Sequence, residues 1–344
     1  MAAAAMAAGG MVAAAGDASQ PFAFLIPDIR IDNPERQRLE SDKAIVRVLP
    51  AGPRELAIVA AVRVNAPAER LHTWTREIET LQRGRYIPVI GRFSDPPALG
   101  DLSGLELDAH DVRELQKCRP GKCGVKLAAV EIERLRAQID ESPGALEAVR
   151  HEFRQIVLDR ARQYLAEGDV GLPPYHDDRV PVSADAEVAS LLPRLGLPEP
   201  LVPGAADYLQ WFPRVMNPNV VDSFLYWSVE TLGGKPIASV THVTLLRGEG
   251  PEGFTALAVS KQVFASHYRD GAMSITAVTG SGSEQYLVYV HRSHVDVLQG
   301  ALGGLVRGVI ERRVRKEAPG VLAALRARLE RGDPPQGGVN DDER

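Results

Sequence analysis

From residue 236 onward the chain is written in short apolar runs separated by turn residues. Pro236-Ile-Ala-Ser-Val-Thr-His-Val-Thr-Leu-Leu246 is β-branched and apolar, with no glycine or proline after its first residue, which predicts a strand. Residues 254–268, 272–278 and 285–292 supply three more such runs. The Gly248-Glu-Gly-Pro-Glu-Gly253 cluster, Asp270-Gly271 and Gly280-Ser-Gly-Ser283 separate them as turns. An antiparallel meander is the simplest reading. At Val295 the period changes to that of a helix, with Leu298, Leu302, Leu305, Val306, Val309, Ile310 and Val314 in one stripe. Gly300, Gly304 and Gly308 fall four apart along it. Each glycine costs a helix up to about 1 kcal/mol relative to alanine, so close packing on the sheet or a ligand lying against the helix is expected there. Pro319-Gly320 is expected to kink or interrupt the helix before it resumes over 321–331.

The earlier half alternates differently. Residues 43–49 and 55–64 read as two strands around Ala51-Gly-Pro53. Pro67 then opens a helix in which Leu71, Trp74, Ile78 and Leu81 recur at helical spacing. Residues 86–93 read as a strand ended by Ser94-Asp-Pro-Pro97. Between the halves, 105–209 is mainly helical, over 108–117, 129–140 and 145–167. In the last of these Val149, Phe153, Ile156, Val157, Arg160 and Tyr164 share a stripe. Gly171-Leu-Pro-Pro-Tyr-His176 breaks the pattern, and 184–195 and 204–212 are shorter helices.

Phe224-Leu-Tyr-Trp-Ser228, Ser239-Val-Thr-His-Val243, Ser260-Lys-Gln-Val-Phe-Ala-Ser-His-Tyr268 and Tyr286-Leu-Val-Tyr-Val-His-Arg-Ser293, ahead of the glycine-rich C-terminal helix, resemble the second half of a START-like protein. The strand-strand-helix-strand order around Val62-Arg-Val-Asn-Ala-Pro67 resembles the first half. This is the SRPBCC superfamily of lipid-transfer START domains, birch-pollen-allergen-like proteins and polyketide cyclases, and the wording is similar to that of bacterial members. The resemblance implies an α+β helix-grip fold, a curved antiparallel sheet closed by a long C-terminal helix. The expected division is a tail or degenerate signal peptide over 1–20, the first half of the grip over 21–104, a helical insertion over 105–222, the second half with its helix over 223–331, and a disordered tail over 332–344. The insertion is expected on the sheet or over its mouth.

Composition narrows the function classes. With 344 residues the chain can bury a substantial core, and a formal net charge of -5 offers no basic face for nucleic acid. No apolar run is long enough to cross a bilayer. The alanine- and glycine-rich residues 1–20 have the length of a signal peptide without its positive n-region. The two cysteines, in Cys118-Arg-Pro-Gly-Lys-Cys123, flank a Pro-Gly turn that can bring them within disulfide reach. A disulfide loop in an exported protein and reduced thiols in the cytosol are the two readings, with a periplasmic or exported location favoured.

Catalytic signatures are scarce. There is no G-x-S-x-G elbow, P-loop or dinucleotide fingerprint, and His151-Glu-Phe-Arg-Gln155 lacks the second histidine of a zincin. His176-Asp177-Asp178 is an isolated pair. His242, His267, His291 and His294 fall on adjacent strands and could meet if those strands line a cavity. The aromatic group Tyr208, Trp211, Phe212, Phe224, Tyr226 and Trp227 is core or a gate. Neighbouring strand residues point to opposite sides, so of Lys261 and Gln262 one is expected to enter the cavity. The leading expectation is non-catalytic binding of a hydrophobic small molecule or lipid between sheet and C-terminal helix, with Trp227, Ser239, Thr241, His242, Lys261, Gln262, His267, Tyr268, Tyr289 and Gly304 as lining residues. No cofactor or metal is expected, and the oligomeric state is open. The alternatives are a cyclase- or hydrolase-like enzyme using His242, His267, Lys261 or Tyr268 for acid–base work, and an envelope-associated scaffold whose partner surface lies on 129–167.

Overall fold

The computed structural model describes residues 22, 25, 29–107, 109–139, 145–197, 199, 202–231, 234–250, 253–280, 284–300 and 302–334. The segment 1–20, residues 335–344, and parts of the turns expected at 248–253 and 280–283 lie outside the described residues. Eight strands form one antiparallel sheet in the order β1-β2-β8-β7-β6-β5-β4-β3. β1 (Ile45–Val48) and β2 (Glu55–Arg63) occupy one edge. The helices α2 (Glu69–Arg76) and α3 (Ile78–Gln82) then carry the chain across one face to β3 (Val89–Arg92) at the far edge. The meander β4 (Val220–Glu230), β5 (Ile237–Gly250), β6 (Gly253–Ala265), β7 (Arg269–Thr279) and β8 (Tyr286–Val295) returns until β8 pairs with β2. α9 (Gly303–Arg331) lies back along the same face as α2 and α3. The fold is therefore α+β, with the gripped C-terminal helix the sequence predicts.

Pleating divides the strands into two faces. On the grip face, Leu56 and Ile58 of β2 pack with Val295, Leu298 and, from α9, Val306, Ile310 and Val314. Further along, Ala60, Val62 and Leu287 meet Leu71 and Trp74 of α2 and Leu322 and Leu329 of α9. The other face is covered by the helices that sequence places in the insertion. These are α4 (Ala109–Leu115), α5 (Ala129–Arg136), α6 (Ala145–Glu167), α7 (Ala184–Leu191) and α8 (Ala205–Trp211), with α1 (Asn33–Glu40) beside them. Phe153, Ile156, Val157 and Tyr164 of α6 bury the stripe seen in sequence against Leu225, Trp227, Val240 and Phe264. Val188 of α7 and Tyr208 and Leu209 of α8 cover Val259, Met273, Ile275 and Val290. The insertion thus lies on the sheet, on the face opposite the grip.

Several local expectations are corrected. β4 is a full strand and not only an aromatic approach to the meander. Its partner β3 comes so close that a Cβ at Gly91 would stand 2.8 Å from the Trp227 ring. The β6–β7 turn falls at 266–268, where Tyr268 adopts a left-handed φ of 63°, while Asp270-Gly271 lies inside β7 beside a register shift. The Cys118–Cys123 disulfide forms, with Cα atoms 4.4 Å apart, and Arg119 and Lys122 are exposed on its turn. α9 runs unbroken through Pro319. A proline inside a helix costs about 3 kcal/mol, and α9 is anchored on both sides of it, by Ile310 and Val314 before and Leu322 and Leu329 after. The predicted apolar stripe is also wider than the contact the sheet offers, since Leu302, Leu305 and Val309 remain exposed. Gly304 and Gly308 have no atom within 4 Å of a built Cβ, so close approach does not account for these glycines.

One buried cation ties the insertion to the sheet. Lys126 Nζ lies 2.7 Å from Asp270 of β7, 3.0 Å from Asp177 and 3.0 Å from Asp296 beyond β8. Burial opposes its charge, but the three carboxylates more than offset that and hold the ammonium well above the ordinary lysine range. Removing one partner of such a cluster leaves uncompensated buried charge. Lys126→Met is expected to destabilise the protein by about 3–5 kcal/mol in urea unfolding. A loss below about 1 kcal/mol, the value of a surface pair, would show that the cluster does not hold the insertion in place.

Candidate functional site

The grip face changes character between its apolar ends. Along β6, β7 and β8 the residues facing the insertion, such as Val259, Ile275 and Val290, are fully buried. Their neighbours Ser260, Ser274, Thr276, Tyr289 and His291, pointing the other way, keep accessible surface in the middle of the sheet. The register aligns them, with Tyr289 opposite Thr276 and His291 opposite Ser274, which in turn is opposite Ser260. α3 packs on one side of this strip, with Phe224, Tyr226, Val243 and Leu245, and α9 on the other, with Leu56 and Ile58.

Polar groups converge on the strip. Arg269 Nη2 donates to Glu230 Oε1 at 2.6 Å, and Ser239 Oγ donates to the same oxygen at 3.1 Å. Gln262 Nε2 reaches the Arg269 carbonyl at 3.4 Å, while Gln262 Oε1 and Arg269 Nε have no hydrogen-bond partner among the described residues. Tyr226 shares hydrogen bonds with Thr241 and with Gln82 at the end of α3. The Tyr289 and His291 rings are stacked at 6.2 Å, and His291 Nε2 lies 3.1 Å from Ser293 Oγ. Burial pushes the Tyr289 phenol up to about 12, with a Ser274 hydrogen bond opposing. Burial and then the Arg269 charge push His291 down to about 4. Burial opposes the Arg269 charge too, but Glu230 more than offsets it.

At the rim, the loop before β3 crosses to α9. Tyr86 shares a hydrogen bond with Glu317, and the Arg313 guanidinium lies 5.5 Å from its ring centroid. That bond, more than the one from Arg313, holds the Glu317 carboxyl below its usual range. The sheet edge at β3 and the helix over β1 and β2 are thereby joined across the strip.

Of the residues predicted to line a pocket, Ser239, Thr241, Gln262 and Tyr289 fall on this strip, and Tyr268 packs at its edge with its hydroxyl accepting from Lys235 N at 3.0 Å. Gln262 is the member of the Lys261–Gln262 pair that faces the grip. Lys261, His242 and Trp227 face the insertion. Lys261 Nζ lies 2.7 Å from both Asp169 Oδ2 and the Leu209 carbonyl, and Trp227 Nε1 donates to the Asp101 carbonyl at 2.8 Å. His242 bridges Ser223 Oγ at 2.5 Å and the Tyr164 hydroxyl at 2.7 Å. Burial, helped by the Lys261 charge, holds His242 well below the ordinary histidine range. His267 is buried beside Ser266, with Nε2 3.3 Å from Asp111. Gly304 is exposed on the outer side of α9. The four strand histidines do not meet, and no cluster of metal-ligating side chains exists among the described residues. His291, Arg269 and Glu230 complete the strip beyond the predicted set. The i, i+2 spacing of Tyr289 and His291 carried a signal for the first, whereas Arg269 and Glu230 lie 39 residues apart and had none.

No protein-family model matches this chain, and no curated protein does. Among solved structures it is similar to the crystal structure of the di-domain ARO/CYC StfQ from the steffimycin biosynthetic pathway, at 16% identity and a TM-score of 0.26. The match covers 56% of this chain and 62% of that one, so it spans less than two thirds of that chain's length.

The strip makes a prediction about pH. An unfolded histidine binds its proton near 6.5, whereas folded His291 does so only near 4. The unfolded state therefore takes up more protons in that window, and stability should fall as the pH drops from 6.5 toward 4 and be fully present above it. His291→Phe is expected to flatten this part of the curve, read by urea unfolding at about pH 4.5 and about pH 7.5. An imidazole resonance titrating near 6.5 in the folded protein would overturn this prediction.

Proposed function

We propose that this protein binds a hydrophobic small molecule carrying one hydrogen-bonding end, such as a lipid, in the space between the sheet and α9, without transforming it. The observation that carries this reading is the strip itself: the hydroxyls of Ser260, Ser274, Thr276 and Tyr289 and the His291 imidazole belong to residues that keep accessible surface in mid-sheet, flanked by apolar side chains. An apolar site with a few orienting polar groups is how small-molecule pockets are built. The unpartnered Gln262 Oε1 and Arg269 Nε support it, because a buried polar atom left unmade costs about 1–3 kcal/mol. Acid–base catalysis works best with a group titrating near the operating pH. Tyr289 at about 12 and His291 at about 4 are both displaced from neutrality, which favours binding.

A cyclase-like activity is the second reading, favoured by the adjacency of Tyr289 and His291 within the same space. A scaffold role has less support, since the exposed large apolar side chains on 129–167 are Val130 and Leu146. The Cys118–Cys123 bond fits an oxidising compartment, and no helix among the described residues is long and apolar enough to cross a membrane.

Native mass spectrometry of purified protein and titration with the neutral apolar dye N-phenyl-1-naphthylamine test the proposal together. Ser260→Leu with Ser274→Leu fills the space, and should lower dye affinity by at least about tenfold without lowering the melting temperature. Tyr289→Phe should weaken a co-purifying ligand by about two- to tenfold through one lost hydrogen bond. Wild-type protein that carries no ligand and takes up no dye would overturn the reading. Turnover of a ligand that depends on His291 would replace it with the cyclase one.

A further inference from the structure

The outer face of α9 is not explained by ligand binding. Leu302, Leu305 and Val309 are 67%, 72% and 62% exposed, and they recur three and four residues apart, on one face of the helix start. The same face continues into Arg312 and Lys316, which are exposed and have no ion-pair partner among the described residues. Arg315 is paired with Glu311 but its side chain is 62% exposed, and Arg85 sits next to Tyr86 where the crossing loop meets the helix. Arg85, Arg312, Arg313, Arg315 and Lys316 are opposed locally by Glu311 and Glu317. This surface is basic in a chain whose net charge is -5.

We propose that this face of α9 docks onto an anionic lipid bilayer, with Leu302, Leu305 and Val309 entering the headgroup boundary and Arg312 and Lys316 meeting the lipid phosphates. An apolar stripe flanked by cations, on a helix lying along a surface, is the pattern of interfacial association, and its strength is set jointly by apolar area and by anionic lipid. The charge distribution selects the orientation, because the acidic remainder of the chain is repelled by the same bilayer. Charge disfavours a parallel pairing with a second copy of the chain, which would set Arg312 and Lys316 against their own equivalents, since like charges in an interface are destabilising. Docking this way lays the bilayer beside the loop-to-helix contact of Tyr86 with Arg313 and Glu317, at the rim of the strip.

Co-sedimentation of the full chain with vesicles tests the proposal. Binding is expected to vesicles of equal parts phosphatidylcholine and phosphatidylglycerol, to be weak on phosphatidylcholine alone, and to fall as salt is raised. Arg312→Glu with Lys316→Glu should reduce binding by at least about tenfold, and Leu305→Ser with Val309→Ser should reduce it comparably while leaving the salt dependence in place. All four side chains are exposed, so unchanged melting curves are expected and confirm that the variants fold. No binding to anionic vesicles, or binding unchanged in both variants, would overturn the proposal. A concentration-dependent dimer in light scattering that Leu305→Ser with Val309→Ser abolishes would also overturn it, in favour of a second copy.

Discussion

The structure depends on a division of labour between the two faces of one pleated sheet. Neighbouring residues of a strand cannot share a face, so each of β4 to β8 contributes one set of side chains to the insertion side and one to the grip side. On the insertion side, Val259, Ile275, Val288, Val290, Val240 and Phe264 are essentially inaccessible, packed by α6, α7 and α8. That dense layer supplies most of the apolar burial. The grip side is thereby released from the same demand, and can carry hydroxyls, an amide and an imidazole at positions where a sheet with one covered face would need leucine or valine.

The helices between β3 and β4 are consequently part of the sheet's own core. They are held by charge as well as by packing: Lys126 gathers three carboxylates, Arg160 makes a buried two-point pair with Glu131, and Lys261 of β6 reaches Asp169 and the carbonyl of Leu209. Several of these link segments far apart in sequence, and a buried pair stripped of one member is costly. They fix where α5, α6 and α8 sit without adding apolar contact. His242, on the same face, is held well below the ordinary histidine range by burial, helped by the Lys261 charge.

Much of the architecture was legible in the residues. The strand–strand–helix–strand opening, the meander, the helices expected over 129–140, 145–167 and 184–195, of which the first and last end sooner, at Arg136 and Leu191, and the C-terminal helix follow from periodicity and turn chemistry, because each element's pattern agrees with its packing. Two misplacements have a common cause. Alternation in β6 shows that Lys261 and Gln262 diverge, but which goes inward depends on what covers each face. The register shift between Val240 and Thr241 further offsets the alternation of β5 against β6. His242 and Lys261 read as pocket residues because polar groups in mid-strand suggested solvent or ligand, whereas their partners Tyr164 and Asp169 came from a helix and a turn 78 and 92 residues earlier. The Glu230–Arg269 pair was invisible for the same reason. The disulfide was the opposite case, since both cysteines and the turn between them are local.

α9 joins these arguments, because one helix must satisfy three surroundings at once. Its line through Val306, Ile310 and Val314 is apolar because it closes one end of the grip, and Leu322 and Leu329 do the same at the other. Along this helix Arg313 and Glu317 meet Tyr86 of the loop before β3. A helix seated only on the sheet would need no apolar side chain at Leu305 or Val309, about a third of a turn away from the packed line. The extra width of the stripe that sequence showed, and that sheet contact does not use, is therefore a property of the outer face. Of the two apolar lines of α9, the sheet packs the one through Val306, Ile310 and Val314, and the one through Leu305 and Val309 is exposed.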